Sequence, residues 1–205
     1  MWALELADSL ALVSFALSGA WRAREKGLDL FGLVALAVLC AFGGGWMRDL
    51  LLDRGIPASL QSPSDLFLVI AVALLSLRLF YRPGSALDRA VIVTDALGLG
   101  LYSASAALLS LHAGLPVVST CLLAVVAGTG GGVLRDLIVN EIPLIFRREV
   151  YALCAIAGAL SVSGLHRLAV PESLQLLSGV GVTFLLRLAA IRRNWQLPAR
   201  PASEG

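Results

Sequence analysis

Phe42–Pro57 reads FGGGWMRDLLLDRGIP, and Thr129–Pro143 reads TGGGVLRDLIVNEIP. In both stretches three glycines sit inside an apolar run, and an Arg-Asp pair follows two residues later. Each glycine costs a helix about 1 kcal/mol relative to alanine. An Arg-Asp pair within a hydrophobic run is costly unless it is paired or wet. Both costs occur twice, in the same order. The expectation is that two membrane helices break at the glycines and line a polar path.

Composition supports the membrane setting. The chain has 205 residues, 58% of them hydrophobic and 15% charged, with a mean hydropathy of +0.85. Soluble domains carry about 25% charged residues. The length fits about seven spans of roughly 20 residues with short loops, without room for a second domain. The apolar runs are continuous and lack polar-apolar alternation, which points to helices rather than barrel strands. A net charge of +2, with basic residues at span ends rather than on one face, gives no support to nucleic-acid binding. Cys40, Cys121 and Cys154 lie far apart in apolar runs, without metal spacing, and read as buried inert thiols. HExxH, a nucleophile with a base, and a Gly-Lys-Ser/Thr phosphate loop are all missing from the sequence. The expectation is therefore no enzyme, no cofactor, and no metal beyond transient monovalent cations.

The spans are expected at about Trp2–Trp21, Leu30–Leu52, Ser64–Tyr81, Ala90–Leu111, Pro116–Val139, Glu149–Leu168 and Pro171–Ile191. Lys and Arg are missing before Arg22, while Glu5 and Asp8 are acidic, so the first run reads as a retained span rather than a signal peptide. Of the 16 basic residues, Arg22, Arg24, Lys26, Arg78, Arg82, Arg89, Arg147, Arg148, Arg187, Arg192, Arg193 and Arg200 fall on one side of a seven-span arrangement. Arg54 and Arg167 fall on the other, and Arg48 and Arg135 lie within the membrane. The positive-inside rule makes the crowded side cytoplasmic, with the N-terminus outside. Trp2, Trp21 and Trp195 near span ends read as interfacial anchors. His112 and His166 read as surface residues on the outer side.

The chain also repeats itself. Asp8 matches Asp95, Gly27 matches Gly114, Gly43 matches Gly130 and Asp49 matches Asp136, each pair 87 residues apart. The register holds without a gap from Asp8 to Asn140, with about a third of positions identical. Each copy holds three spans, an odd number, so the second enters from the opposite side as an inverted repeat. The expected units are 1–84, an inverted second copy at 85–169, a seventh helix at 170–192, and a disordered polar tail at 193–205 with Pro198 and Pro201.

Inversion sorts the charges into two clusters, Asp8/Arg48/Asp49 in the outer half and Asp95/Arg135/Asp136 in the inner half. Neighbours on a helix point about 100° apart, so adjacent Arg and Asp are not expected to pair with each other. Asp8 is the expected partner of Arg48, and Asp95 that of Arg135. Two readings stand side by side: buried ion pairs that fix packing, or carboxylates facing a water-filled path. For Gly43, Gly44, Gly45, Gly130, Gly131 and Gly132, close helix approach competes with a helix break that frees carbonyls for a cation. Ser14, Ser18, Tyr102, Ser103, Ser105 and Thr129 are candidate path-lining groups, although Ser and Thr in spans often satisfy backbone carbonyls instead.

GGGWMRDLLLDRGIP and GTGGGVLRDLIVNEIP, within two three-span repeats and a seventh helix, resemble the prokaryotic branch of the trimeric intracellular cation channel (TRIC) family over about Leu6–Ile191. The resemblance implies a homotrimer in a prokaryotic plasma membrane, in contact with lipid, each protomer carrying its own pore for potassium and sodium. It implies kinks at the triplets of the second and fifth spans, with Arg48, Asp49, Arg135 and Asp136 at or near the constriction. Animal members are associated with intramembrane lysines, whereas the one lysine here, Lys26, is in a loop, so voltage gating and phosphoinositide control do not carry over. Related bacterial sequences are also described as glycine transporters. A secondary transporter of glycine or another small zwitterion is thus the alternative, with helix N-termini at Gly45 or Gly132 for a carboxylate and Asp8 or Asp95 for an ammonium. A structural membrane protein without a path is the third.

Overall fold

A computed structural model describes residues 2–79, 85–147 and 150–195. Among them the regular structure is helical: α1 (Trp2–Glu25), α2 (Leu30–Leu51), α3 (Ala58–Gln61), α4 (Pro63–Leu79), α5 (Ser85–His112), α6 (Val117–Ile138), α7 (Leu144–Arg147), α8 (Val150–Arg167) and α9 (Glu172–Arg192). Six of these, α1, α2, α5, α6, α8 and α9, contain segments long and apolar enough to cross a membrane. The expected third span corresponds to α4, whose 17 residues extend about 26 Å at 1.5 Å per residue. Phe80 and Tyr81, assigned to its end, lie outside the described residues, as do Arg82, Arg148 and the tail from residue 196.

The helices end where the sequence supplies left-handed residues. Gly27 closes α1 at φ 68°, with its N–H on Arg24 and the Leu28 N–H on Ala23. Gly114 closes α5 in the same way at φ 75°, with Leu111 and Ser110 as acceptors. These are paired C-terminal caps, in which a left-handed residue lets two N–H groups turn back onto orphan carbonyls. Asp53 after α2 and Asn140 after α6 repeat the arrangement at φ 51° and 56°. All four positions respect the 87-residue register.

Large apolar side chains such as Phe31, Phe67, Val118 and Leu177 point outward, 82%, 70%, 81% and 68% exposed, as lipid-facing helices require. The interior is rich in small residues: Ala11, Ala16, Ala37, Ala41, Ala104, Ala124 and Ala127 are buried, beside larger side chains such as Phe15, Leu36, Leu99 and Leu108. Without a hydrophobic drive inside a bilayer, close backbone approach supplies the packing. α1 lies against α2 and α5, α6 against α5 and α8, and α9 against α5 and α8.

At the centre, α2 crosses α6 through the triplets. α2 and α6 continue as uninterrupted α-helices through Gly43–Gly45 and Gly130–Gly132, which corrects the expected break. The physical reason lies in the neighbours. A Cβ added to Gly44 would sit 3.2 Å from the carbonyl carbon of Ala127 and closer still to its oxygen. One on Gly131 would sit 3.1 Å from the carbonyl carbon of Cys40 and again closer to the oxygen. A Cβ on Gly43 would sit 2.5 Å from Leu134 Cδ1, and one on Gly130 would sit 2.6 Å from Met47 Sδ. Cys40/Ala127 and Met47/Leu134 are themselves 87 residues apart. The first two glycines of each triplet serve the close approach of the two helices, and the contact between them offsets their poor helix propensity.

Candidate functional site

The crossing is flanked by two polar clusters of the same design. In the first, the Arg48 guanidinium of α2 is 4% exposed. Its Nη1 donates to both Asp8 oxygens, each at 2.9 Å, and to Ser105 Oγ at 2.7 Å. Its Nε donates to Asp49 Oδ1 at 2.9 Å. The second carboxylate oxygen of Asp49 accepts the Ala58 N–H at 3.2 Å, at the start of α3. In the second cluster, Arg135 of α6 is 2% exposed. Its Nη1 donates to Asp95 Oδ1 at 3.0 Å and to Ser18 Oγ, and its Nε donates to Asp136 Oδ1 at 2.8 Å. Asp136 Oδ2 accepts the Leu144 N–H at 3.2 Å, at the start of α7.

The interhelical pairs Asp8–Arg48 and Asp95–Arg135 are those expected from the sequence. The adjacent Arg and Asp also pair, against expectation. Backbone divergence of about 100° separates short side chains, but Arg is long and its donors face several directions. Nε turns to the neighbouring carboxylate while Nη1 continues to the other helix, so one guanidinium serves two carboxylates. Such pairing is what a charge buried in a low-dielectric interior needs.

The serines are exchanged. Ser105, on α5, completes the first cluster and also donates to Asp8 at 2.7 Å, while Ser18, on α1, completes the second. They occupy matching positions 87 residues apart, so each cluster is closed by the other half of the chain. Ser14 and Thr129 instead bond back to the carbonyls of Leu10 and Val125 on their own helices, both at 2.8 Å. Ser103 reaches across to the Ala124 carbonyl at 3.1 Å. Tyr102 donates to the Ala41 carbonyl at 2.7 Å, stacks on Phe15 with centroids 5.5 Å apart, and lies 6.0 Å from the Arg48 guanidinium carbon.

The third glycine of each triplet differs from the first two. A Cβ on Gly45 would meet the Tyr102 hydroxyl at an ordinary 3.5 Å. One on Gly132 would find Arg135 Nη2 and Asp95 Oδ1 at 3.8 Å and the Tyr151 hydroxyl at 3.9 Å. Gly132 thus borders polar groups, beside a small cavity of about 10 Å³ also lined by Thr129, Arg135, Asp136 and Tyr151. The clusters differ in access: the Asp8 side chain is 28% exposed, that of Asp95 only 5%.

Two residues at the second cluster escaped the sequence reading. Tyr151, at the start of α8, is 2% exposed. Arg187 was assigned to the cytoplasmic end of the last span, but it is 4% exposed within α9, its guanidinium carbon 4.5 Å from the Tyr151 ring centroid. The available signal was an arginine inside the apolar run FLLRLAAI, a full turn before Arg192 and Arg193. Lys26, expected in a loop, pairs there with Glu141 at 2.6 Å. His112 and His166 sit at the ends of α5 and α8, and His112 Nε2 lies 3.1 Å from Glu172 Oε1. No group of three metal-ligating side chains is assembled among the described residues.

Comparison with known proteins places this architecture. A family model described as "Glycine transporter" matches residues 5–82 and 92–167, segments whose starts lie 87 residues apart. The chain is 34% identical over 193 residues to the inner membrane protein YadS of Escherichia coli K12, a UPF0126 protein, covering 93% of each chain. It is 34% identical over 201 residues to the UPF0126 membrane protein YvgT of Bacillus subtilis, covering 97% of this chain and 96% of that one. The structure matches that of a prokaryotic TRIC channel crystallised in 0.5 M KCl with a TM-score of 0.89 and 32% identity, over 96% of this chain and all of that one. It matches the TRIC orthologue from Rhodobacter sphaeroides equally well, with a TM-score of 0.89 and 32% identity over 95% of this chain. With a family model matched along most of its length and a solved relative covered end to end, the chain belongs to the UPF0126 (glycine-transporter model) family of multi-pass membrane proteins and to the prokaryotic branch of the TRIC family.

Proposed function

We propose that the protein is a passive monovalent-cation channel, conducting potassium and sodium through a path within each protomer of a homotrimer in the plasma membrane. The observation that carries the reading is the doubled cluster: Arg48 and Arg135, each held by two carboxylates and a serine, on either side of the α2–α6 crossing. In this reading α4 also crosses the membrane, as the third of seven spans, and the halves are inverted repeats with the N-terminus outside. The first cluster then faces outward and the second faces the cytoplasm. The path passes the third glycines, Gly45 and Gly132, where an added Cβ would meet polar groups at ordinary contact distance. Asp49 and Asp136 hold the arginines and the short helices α3 and α7, and Asp8, the more exposed carboxylate, meets the permeating cation. The solved relatives are named as channels rather than enzymes, in keeping with a transport role.

The description of the matching family model favours a second reading, a glycine carrier. The helices weigh against it. A carrier needed half-helix N-termini at Gly45 or Gly132 to hold a carboxylate, and α2 and α6 run through both positions. Asp8 and Asp95, the proposed ammonium partners, are already bound by arginine. Proteoliposomes loaded with potassium decide between them. A channel releases potassium at a rate that rises with the gradient and is indifferent to glycine. Saturable glycine uptake without potassium release refutes the channel.

A further inference from the structure

The two clusters match in design but not in charge. The first holds Asp8 and Asp49 against Arg48, two carboxylates to one guanidinium. The second holds Asp95 and Asp136 against Arg135, and Arg187 stands behind Tyr151, whose ring it covers and whose hydroxyl borders the cluster. Arg187 forms no ion pair with any described residue. Its Nε, fully buried, has no hydrogen-bond partner among them. It lies over one face of the Tyr151 ring, while the Tyr151 hydroxyl points to the space at Gly132 shared with Asp95 and Arg135. A buried guanidinium held by one aromatic face is not explained by packing, because an apolar side chain would fill the same place without a desolvation cost.

We propose that Arg187 is the residue that makes conduction asymmetric: it cancels the net negative charge of the second cluster and leaves the first as the cation-collecting end. The inference rests on the reading of a cation path past both clusters. The described side chains of the first cluster total one negative charge, and those of the second total zero once Arg187 is counted. The exposure of Asp8 against the burial of Asp95 adds to the difference. One uncompensated charge roughly 8 Å from a cation in water-like surroundings changes its local concentration about twofold. A pore with that charge at one end passes more current when cations enter from that end, and salt screens the effect. Tyr151 positions the guanidinium, and its hydroxyl brings the neutral cluster to the edge of the cavity at Gly132.

The test is the current–voltage relation of single channels in symmetric KCl, for the wild type, Arg187→Gln and Arg187→Lys. The wild type is expected to rectify about twofold at 0.1 M and to become linear near 1 M, as the screening length falls from about 10 Å to about 3 Å. Arg187→Gln is expected to rectify much less than the wild type at 0.1 M, with a larger conductance, and Arg187→Lys to rectify like the wild type. A wild type that conducts but is linear at 0.1 M overturns the proposal, and this measurement holds even where a variant does not fold. Rectification undiminished in Arg187→Gln overturns it too, as does its loss in Arg187→Lys, which would mark a packing role. A silent wild type refutes the cation path itself, and the proposal with it. A conducting wild type with unaltered variants refutes the proposal alone.

Discussion

Gly131→Ala and Gly132→Ala differ by one position and should differ sharply in effect. On Gly131 the new methyl would lie 3.1 Å from the Cys40 carbonyl carbon and closer to its oxygen, both backbone atoms of α2. A backbone cannot swing aside as a flexible side chain does, so α2 and α6 must separate along the crossing. Overpacking costs about 1–3 kcal/mol where side chains can adjust; with backbone on one side, the upper end applies. Alanine returns about 1 kcal/mol of helix propensity. The net loss is roughly 2 kcal/mol, which for a chain of this size lowers the melting temperature by about 4–8 °C. On Gly132 the nearest atoms are 3.8 Å away, so only the propensity gain remains and the protein is unchanged or slightly more stable. Thermal unfolding of the detergent-purified protein, followed by the size-exclusion peak, gives both numbers. Equal melting temperatures for the two variants would refute the assignment of the first two glycines to close packing and the third to a site with room for a methyl group.

Asp8→Asn should reduce cation selectivity in bilayer recordings, because this carboxylate is the more exposed of the matched pair, whereas Asp95→Asn should mainly lower thermal stability. Asp136→Asn should cost about 3–5 kcal/mol in unfolding experiments, since it leaves a buried guanidinium short of one carboxylate and turns an amide group toward the Leu144 N–H. Tyr102→Phe should cost about 1 kcal/mol, the ordinary worth of its bond to the Ala41 carbonyl, with the Phe15 stack retained. A Tyr102→Phe protein that loses several times as much would show that the tyrosine holds more than one contact.

The legible part of this protein was the part written twice. Asp8 with Arg48 and Asp95 with Arg135 could be paired from the sequence because the register of 87 residues constrained both at once. Span positions followed from the apolar runs, and α8 and α9 start and stop within a residue or two of expectation. The helix break was misread because glycine cost is local, whereas the compensation comes from Ala127 and Cys40 on the opposite helix. α3 and α7, four residues each, are too short to show a period and were read as loops. The exchange of Ser18 and Ser105 lay in the packing of α1 against α5, which a linear register does not contain. Arg187 was taken for a boundary residue because basic residues crowd the end of α9, and only its burial against Tyr151 separates it from them.

The most direct measurement is single-channel recording of the purified protein in a planar bilayer with asymmetric KCl. The account predicts discrete openings whose reversal potential lies on the cation side, with a conductance independent of added glycine. A silent bilayer, together with glycine uptake that saturates in liposomes, would contradict it and make the doubled cluster a substrate site rather than the wall of a pore.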